Sequence, residues 1–414
     1  MGANRSRRDL IAGAALLGLP RAAAATLPLP DPALHARDPE AYWERIRQEQ
    51  FLLPGWRAFL NNGSLGVTPR PVLAAMTGFL DRAAALDIDE YPRWGYETLE
   101  EHRAGLAAFC GCSKDELALM HNATEAMSTI AEGLDLKAGD EVLITDQEHP
   151  SGRCCWQRRQ ARDGIRVREV KLPLPPESSA QLAGAVVSAF GPRTRVVSFS
   201  GITTTTGLIM PCRAICDAAR AKGILSVVDG AHMNGQMPFR IADLGCDFFA
   251  GSPHKWLFAP AGCGLLYVRE EMLDRLWPAI VTADWDRREL KAARFMRVGT
   301  NNRAIFEGLM AGLRFLQAIG PERVYARIHE LARLSWRRAR ALGVPLLTPE
   351  DDSLYAAIIA FRLSPEESRR LADLCRRKRI WALVGERVRV STHIHTRLRD
   401  IELFFETVRE ARQS

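Results

Sequence analysis

Two stretches, Ile224-Leu-Ser-Val-Val-Asp-Gly230 and Phe248-Phe-Ala-Gly-Ser-Pro-His-Lys-Trp256, decide the fold of this 414-residue chain. Each starts as a short apolar run and turns polar at its end, as a buried strand of a parallel sheet does where it enters a loop. On both sides, further apolar runs alternate with amphipathic helical stretches. This alternation predicts an α/β fold with a mostly parallel sheet between helices. The predicted strands are residues 117–120, 141–145, 165–171, 196–200, 224–228, 248–250 and 264–268.

The regions that flank this series predict a large domain with a smaller neighbour. After about residue 300, two long helices are followed by strands and helices in mixed order, which is the pattern of a small α+β domain. We therefore expect residues 61–300 to form the large domain and residues 301–414 the small C-terminal domain, with residues 26–60 packing on the small domain. The helices predicted outside the strand series are residues 39–50, 70–86, 91–110, 302–319, 321–342, 365–376 and 399–412, and the strands are residues 356–362 and 388–391.

Composition and charge exclude several classes of protein. With 47% hydrophobic and 25% charged residues, the chain is neither disordered nor a polytopic membrane protein. The net charge of +7 is small for this length, and the basic residues are spread along the chain, whereas a nucleic-acid-binding protein concentrates them in a stripe. The nine cysteines, an odd number, indicate no disulfide framework. The close pairs Cys110/Cys112 and Cys154/Cys155 have no second pair or histidine cluster beside them, so we expect no metal site.

Residues 1–25 have the layout of a signal peptide. A charged start with Arg7-Arg8 precedes the apolar stretch Ile11–Leu19 and an alanine-rich end at Ala22–Ala25, which is the order of regions in an export signal. The apolar stretch is too short to span a bilayer, which takes about 20 residues, so we expect no stable membrane insertion. The paired arginines indicate the twin-arginine export machinery and a periplasmic or secreted protein. A frayed leader on a cytoplasmic protein is the alternative.

Two residues at predicted strand ends carry the clearest chemical signal. Asp229 follows a predicted buried, apolar strand. Its carboxylate is therefore expected to lie in the crevice where open α/β sheets bind ligands. Lys255 lies among apolar residues in a chain with only seven lysines. Burial lowers the pKa of an ammonium group and leaves an amine that can form a Schiff base. A lysine and an acidic residue together are what an enzyme needs to hold pyridoxal phosphate.

With these residues in place, the sequence resembles a known family. Val227-Val-Asp-Gly-Ala-His232 and Gly251-Ser-Pro-His-Lys-Trp256 are similar to the aspartate and lysine motifs of class V aminotransferase-fold enzymes, in particular the isopenicillin N epimerase-like subgroup. The resemblance extends from Phe59-Leu-Asn-Asn-Gly-Ser-Leu-Gly66 to Val388-Arg-Val-Ser391. It implies an aspartate-aminotransferase-like large domain with a smaller C-terminal α+β domain, pyridoxal 5'-phosphate as cofactor, an amino-acid substrate and a homodimer with shared active sites.

The resemblance also implies a role for each matching residue. Lys255 would hold the cofactor covalently, Asp229 would pair with its ring nitrogen, and His149 would stack on the ring; these three are the predicted catalytic residues. His232 would lie near the ring hydroxyl or the Schiff base. Arg389 would clamp the substrate carboxylate bidentately, with Asn62 as a second substrate-binding residue. The residues implied to bind the cofactor phosphate are Asn122, Ala123, Thr124, Ser252 and His254, with Thr300 contributed by the neighbouring subunit.

The sequence departs from the family pattern in two places. Ser200-Gly201 replaces a common Ser-His before the threonine-rich turn Thr203–Thr206, and His395-Thr396-Arg397 replaces a common Tyr-Asn-Thr. We expect both changes to lie near the substrate, so that no relative's substrate can be transferred.

Three classes of function are open at this stage. An aminotransferase or lyase acting at Cα or Cβ of an amino acid is favoured over an epimerase, because epimerisation usually needs a second acid. A cysteine desulfurase needs a mobile cysteine near the carboxylate-binding arginine, and no cysteine follows Cys375. A non-catalytic scaffold predicts the loss of Lys255 or Asp229, and both are present.

Overall fold

A computed structural model describes residues 28–85 and 97–413 of the chain. The predicted signal peptide lies outside these residues, and so does the part of the predicted helix 91–110 that precedes Glu97. Within the described residues, no helix is long and apolar enough to cross a membrane, and no group of acidic, histidine and cysteine residues is arranged to hold a metal ion.

The core of the large domain is a seven-stranded sheet with the strand order β2-β8-β7-β6-β5-β3-β4. Only β8 runs antiparallel to its neighbours, which confirms the predicted mostly parallel α/β fold. Neighbouring side chains of a strand point to opposite faces, and four of these strands (β2, β3, β7 and β8) are buried at every residue, so both faces of the sheet are covered. The strands are β2 Leu117–Met120, β3 Glu141–Thr145, β4 Arg166–Val170, β5 Thr194–Ser200, β6 Leu225–Gly230, β7 Phe248–Gly251 and β8 Gly264–Val268.

The register of the sheet brings the ends of three strands together. Ser200 at the end of β5 is paired with Asp229 in β6, and Asp229 is paired with Ala250 in β7. Because these strands are parallel, the loops that follow them emerge at one edge. The helices that connect the strands and cover them are α5 Ala123–Gly133, α6 Pro150–Asp163, α7 Ser179–Val187, α8 Cys212–Ala221, α9 Ile241–Leu244 and α10 Pro253–Trp256.

Helices from both ends of the chain complete the large core. The buried face of α11, with Phe306, Leu309 and Leu313, belongs to the same apolar cluster as the central sheet, although we predicted residues 301–414 as the small domain. The second long helix, α12, is shared, since Ile328 packs in the large core and Trp336 in the small one. The bounds of these helices are α1 Pro32–Arg37, α2 Pro39–Gln50, α3 Arg70–Ala85, α4 Glu97–Cys110, α11 Ala304–Ile319 and α12 Pro321–Ala341.

The small domain has its own apolar core behind two short sheets. Antiparallel β9 and β11 alternate between this core, which contains Phe361 and Val390, and the opposite face, which carries Arg389. The N-terminal segment contributes to both domains, because Trp43 packs in the large core whereas Leu60 packs in the small one. The elements are β1 Ala58–Phe59, paired with β10 Ile380–Trp381, β9 Ile358–Arg362, paired with β11 Arg387–Ser391, α13 Pro365–Arg377 and α14 Leu398–Gln413.

Candidate active site

A cavity of about 460 Å³ lies where the central strands end and the small domain meets them. Loops that follow β2, β3, β5, β6 and β7 form most of its wall, and the loop after β1 and strand β11 complete it. The structure brings most of the predicted site residues to this one cavity: Asn122, Ala123, Thr124, His149, Asp229, Ser252, His254, Lys255 and Arg389.

Asp229 presents a buried carboxylate to the cavity. Its side chain is only 6% exposed, and Oδ1 accepts a hydrogen bond from the backbone N–H of Ala231 at 3.0 Å. Within the described residues Asp229 forms no ion pair within 4 Å. A methyl group added at Gly152 would lie 3.2 Å from Oδ2, so the glycine leaves room beside this oxygen. A buried carboxylate with a free oxygen is suited to a protonated ring nitrogen.

Lys255 contacts a histidine whose tautomer is fixed by its neighbour. The indole N–H of Trp256, which can only donate, donates to Nδ1 of His232 at 3.2 Å. In a neutral imidazole the proton is then on Nε2, which lies 3.1 Å from Nζ of Lys255 and 3.3 Å from Oγ1 of Thr204. Burial lowers the pKa of His232 well below its usual range, helped by the nearby charge of Lys255. This imidazole therefore donates toward Lys255.

The same surroundings favour a neutral amine at Lys255. An ammonium group has no lone pair to accept the Nε2–H of His232, whereas a neutral amine has one. Burial lowers the pKa of Lys255 to about 8, with the charge of Asp229 opposing and that of Arg389 adding to the shift. The lowered pKa therefore brings the neutral amine, the form that attacks in Schiff-base formation, within reach near neutral pH.

His149 begins helix α6 and faces the cavity from the other side of the strand ends. Its Nδ1 accepts from the backbone N–H of Ser151 at 3.1 Å, so the ring proton of the neutral form is on Nε2. Burial lowers its pKa, and the charge of Lys255 adds to this effect while Asp229 opposes it. The imidazole is therefore neutral and able to lie against an aromatic ring.

Glu148 fixes the turn that carries His149. Its carboxylate oxygens accept from Oγ1 of Thr145 at 2.5 Å and from Oγ of Ser200 at 2.7 Å. Burial raises the pKa of Glu148 to about 7, and the charge of Asp229 adds to that shift. Ser200 is thus part of the support behind His149, and neither it nor Gly201, which stands where the family pattern has histidine, lines the cavity, contrary to expectation.

The start of helix α5 forms one end of the cavity. The first N–H groups of a helix have no carbonyl partner inside it and favour an anion. Here the N–H of Ala123 donates to Oγ of Ser252 at 3.0 Å, and the N–H of Glu125 donates to Oδ1 of Asn122 at 2.8 Å. Nδ1 of His254 lies 2.7 Å from the carbonyl oxygen of Cys263. These neutral donors and the helix end suit a phosphate group.

Arg389 is a buried cation without an acidic partner among the described residues. Nη1 donates to the carbonyl oxygen of Thr204 at 2.9 Å, and Nη2 donates to Oδ1 of Asn61 and Oγ of Ser64, each at 2.8 Å. Burial lowers its pKa to about 10. These three bonds leave two of the five guanidinium N–H groups without a protein acceptor. A carboxylate in the cavity would compensate the charge.

Three predicted residues do not line the cavity. His232 lies behind the cavity wall and contacts Nζ of the lining residue Lys255. Asn62 is also behind Lys255: its Nδ2 donates to the carbonyl oxygen of Lys255 at 2.7 Å, and its Oδ1 accepts from Nε2 of His395 at 3.2 Å. Asn61, and not Asn62, contacts Arg389. Thr300 is exposed and lies outside the cavity of its own chain.

The second departure from the family pattern lies away from the cavity, contrary to expectation. His395 is buried against Asn62, and Arg397 pairs with Asp400. Neither residue nor Thr396 lines the cavity. The reason is that the ring of His395 packs against Phe51 and Phe59, on the side of Asn62 away from the cavity.

Several residues of the cavity received no role from the sequence. Thr204 contacts both His232 and Arg389, and Thr205 lines the wall beside it. The run of four threonines after β5 was the available signal. Ser64 lies within the Phe59–Gly66 motif but could not be assigned without the fold. The remaining lining residues are Gly63, Met127, Pro150, Ser151, Gly152, Ala231 and Leu383.

Comparison with known proteins agrees with this arrangement. The family model described as Aminotransferase class-V matches residues 58–409. The isopenicillin N epimerase of Streptomyces clavuligerus is 35% identical over 386 residues, which are 87% of this chain and 96% of that protein.

Two solved structures share the fold. The apo structure of a cysteine desulfurase from Thermococcus onnurineus NA1 has a TM-score of 0.78 at 23% identity and covers 89% of this chain and 97% of its own. A variant of C-DES with glycine covalently linked to the PLP cofactor has a TM-score of 0.75 at 24% identity, covering 85% of this chain and 96% of its own. The buried lysine, the free carboxylate oxygen and the helix end fit that cofactor. The chain belongs to the class V aminotransferase family and is a pyridoxal-phosphate-dependent enzyme.

Proposed function

We propose that this enzyme removes the α-proton of an amino acid, with Lys255 as the base and Arg389 as the binding residue for the α-carboxylate. One observation carries the proposal: both cationic residues that line the cavity lack an acidic partner among the described residues. One is a lysine of lowered pKa and the other is a buried guanidinium. When bound, pyridoxal phosphate stabilises the negative charge that develops at Cα.

Lys255 is suited to proton transfer once a substrate amine has replaced it on the cofactor. A general base works best when its pKa is near the working pH, and the pKa of Lys255 is lowered to about 8. His232 donates toward Nζ and so favours the neutral amine over the ammonium form. Asn62 fixes the backbone of Lys255 from behind, so the base remains in place between steps.

A reaction that needs one base is the best match for these residues. In transamination or β-elimination, Lys255 would be the only residue needed to remove and move the proton, with the bound cofactor supplying the electron sink. Within the described part of the chain, the lining residues include no tyrosine, cysteine or second lysine that could act as an acid on the opposite face of Cα. We therefore favour an aminotransferase or a lyase.

Epimerisation is the second candidate, and two observations favour it. The similarity to an isopenicillin N epimerase covers most of both chains, and His149 carries its ring proton on Nε2, so it could donate to Cα. Against it, a histidine that stacks on the cofactor ring is poorly placed as an acid.

A desulfurase reaction has less support. It needs a thiolate at the substrate, and no cysteine is among the described residues of the cavity wall. Cys155 is the buried cysteine nearest to His149 in sequence. Burial raises the pKa of its thiol to about 12, which disfavours the thiolate.

Incubation with single amino acids in deuterated water separates these reactions. Transamination gives a keto acid, elimination gives an unsaturated or hydrolysed product, and epimerisation gives α-deuterated amino acid of inverted configuration with no keto acid. Lys255→Ala should abolish every product and Arg389→Met should weaken substrate binding, while Arg377→Met, at an exposed position on α13, should change neither. Racemised, deuterated amino acid as the sole product would refute our preference.

We also propose a homodimer and export of the folded enzyme. The family resemblance implies that Thr300 serves the neighbouring subunit, and its exposure outside the cavity of its own chain is compatible with that role. The leader with Arg7-Arg8 supports the twin-arginine machinery and a periplasmic or secreted location.

A further inference from the structure

A second arginine lies on the same face of β11 as Arg389. Side chains two residues apart in a strand point the same way and are about 6.5–7 Å apart along it. Arg387 is therefore one step farther out on the strand that carries Arg389 into the cavity. It is half-buried, whereas Arg389 is fully buried, so Arg387 is the more solvent-accessible residue of the pair.

Arg387 does not itself line the cavity, but its contacts place it next to a residue that does. Its Nη1 donates to Oε1 of Gln147 at 2.9 Å and to Oγ1 of Thr205 at 3.1 Å. Thr205 lines the cavity, and Gln147 belongs to the turn that carries His149. The structure shows no protein acceptor for the other N–H groups of Arg387 within the described residues. They are available to a ligand.

The positive charge at this position is uncompensated. Arg387 is paired in register with Arg362 of β9, so two guanidinium side chains leave the sheet on one face, an arrangement that is unfavourable without an anion. Neither arginine forms an ion pair within 4 Å in the part of the chain that the structure describes.

We propose that Arg387 binds a carboxylate on the side chain of the substrate, so that the enzyme takes acidic amino acids. The inference rests on the proposed function, because it assumes that Arg389 binds the α-carboxylate. Two arginines whose Cα atoms are about 6.5–7 Å apart on one strand face suit the two carboxylates of glutamate, because their flexible side chains can adjust the distance between the guanidinium groups. Gln147 and Thr205, both neutral, hold Arg387 in place without neutralising it.

The alternative role of Arg387 is to brace the Gln147 turn. The two roles predict different effects on the binding of different amino acids. A brace would affect all amino acids equally through His149, whereas a carboxylate-binding residue discriminates between glutamate and glutamine, which have the same shape and differ in charge.

The experiment uses the cofactor-loaded enzyme and titrates it with L-glutamate and with L-glutamine, following the absorbance of the bound cofactor. We expect the wild type to bind glutamate more tightly. Arg387→Met should weaken glutamate binding by about 10- to 100-fold, as expected for a lost hydrogen bond between charged groups, and leave glutamine binding within about twofold. Arg387→Lys should restore part of the preference, and Arg377→Met should retain all of it.

Two results would overturn the inference. Equal binding of glutamate and glutamine by the wild type would exclude an acidic side chain as the substrate feature. An equal loss for both ligands in Arg387→Met, with an unchanged melting temperature, would assign Arg387 to the Gln147 turn. In both cases the proposed function stands if Arg389→Met weakens binding of every amino acid, whereas the absence of any spectral response to amino acids in the wild type would overturn both.

Discussion

The protonation of Lys255 depends on a relay of two side chains. Trp256 fixes the tautomer of His232, and His232 in turn donates toward Nζ of Lys255. The relay was not predictable from sequence, although all three residues lie in the two motifs that identify the family. The motifs showed which residue types are present, but the direction of a hydrogen bond depends on the fold that brings residues 232 and 256 together.

Cofactor uptake by the apoenzyme should follow the ionisation of Lys255. Because burial lowers its pKa to about 8, the neutral amine that attacks the cofactor predominates above that pH. The rate of uptake, followed by the yellow absorbance of the loaded enzyme, should rise with pH with a midpoint near 8. A midpoint near 10.5, the usual value for lysine, would show that Lys255 is not shielded from water.

Trp256→Phe should move this midpoint upward. Without the indole N–H, His232 can carry its proton on Nδ1 and offer a lone pair on Nε2 to an ammonium group, which favours the charged form of Lys255. The measurement is the same pH profile of uptake, with thermal melting to account for the lost packing of a buried tryptophan. Ser252→Ala, which lies in the same loop but outside the relay, should leave the midpoint unchanged.

At the scale of elements, the site requires a glycine at position 264. It begins β8 and packs against the turn between β2 and α5. A methyl group added to Gly264 in the neighbouring strand would lie 2.4 Å from the backbone nitrogen of Asn122, closer than any real contact. The strand and the first turn of α5 therefore touch backbone to backbone. This contact fixes the helix end that faces the cavity.

Gly264→Ala should weaken cofactor binding while leaving a folded protein. The displaced Asn122 would move the N–H groups at the start of α5, which we expect to contact the phosphate. We expect an affinity loss of about tenfold or more, equivalent to one or two hydrogen bonds, measured by equilibrium dialysis of the cofactor. Gly184→Ala is the matched control, because nothing lies within 4 Å of the added methyl group. Equal affinities for both variants would contradict the assignment.

Helices and strands with a strong apolar pattern were predictable from sequence. Short strands that form only by pairing with another strand were not. All seven strands of the central sheet were predicted within about two residues, because most of them contain a continuous apolar run, although the edge strand β4, Arg166–Val170, does not. The two-residue strands β1 and β10 exist only through pairing with each other and carry no periodicity. Helix α11 was predicted, but an apolar face does not reveal which of two cores it covers, and this explains the difference at residue 301.

On the scale of the whole molecule, we expect the phosphate site to draw on a second chain. The described lining residues near α5 offer neutral donors and a helix end but no arginine or lysine except Lys255. A contribution from Thr300 of a second subunit would complete it, in agreement with the proposed homodimer.

Mixed dimers test this sharing directly. Lys255→Ala and Thr300→Ala homodimers should each lose activity, the first completely. In a hybrid, one site combines Lys255 of one subunit with Thr300 of the other and is intact, so activity should return to at most about half per dimer. If Thr300 acts within its own subunit, no hybrid site is intact and no activity returns. A monomeric mass in solution would exclude the dimer altogether.

The cysteines bear on how this molecule would leave the cytoplasm. All nine lie within the described residues and are unpaired, and seven of them are buried. An unfolded chain exported into an oxidising compartment would expose these thiols and allow incorrect disulfides. A folded chain, already loaded with its cytoplasmic cofactor, keeps most of them covered, so the thiol pattern favours the twin-arginine route over export of an unfolded chain.

Replacing Arg7-Arg8 with Lys-Lys should therefore trap the precursor in the cytoplasm, because the twin-arginine machinery reads the arginine pair. The trapped precursor should be yellow and soluble, since the leader is not part of the site. Fractionation with antibody detection provides the measurement, and Arg5→Lys, which alters a neighbouring arginine outside the pair, is the control. If the double variant is fractionated like the wild type, residues 1–25 are a leader without an export role. If the wild type reaches the periplasm with its cysteines cross-linked and no cofactor, folding follows export and the thiol argument is wrong.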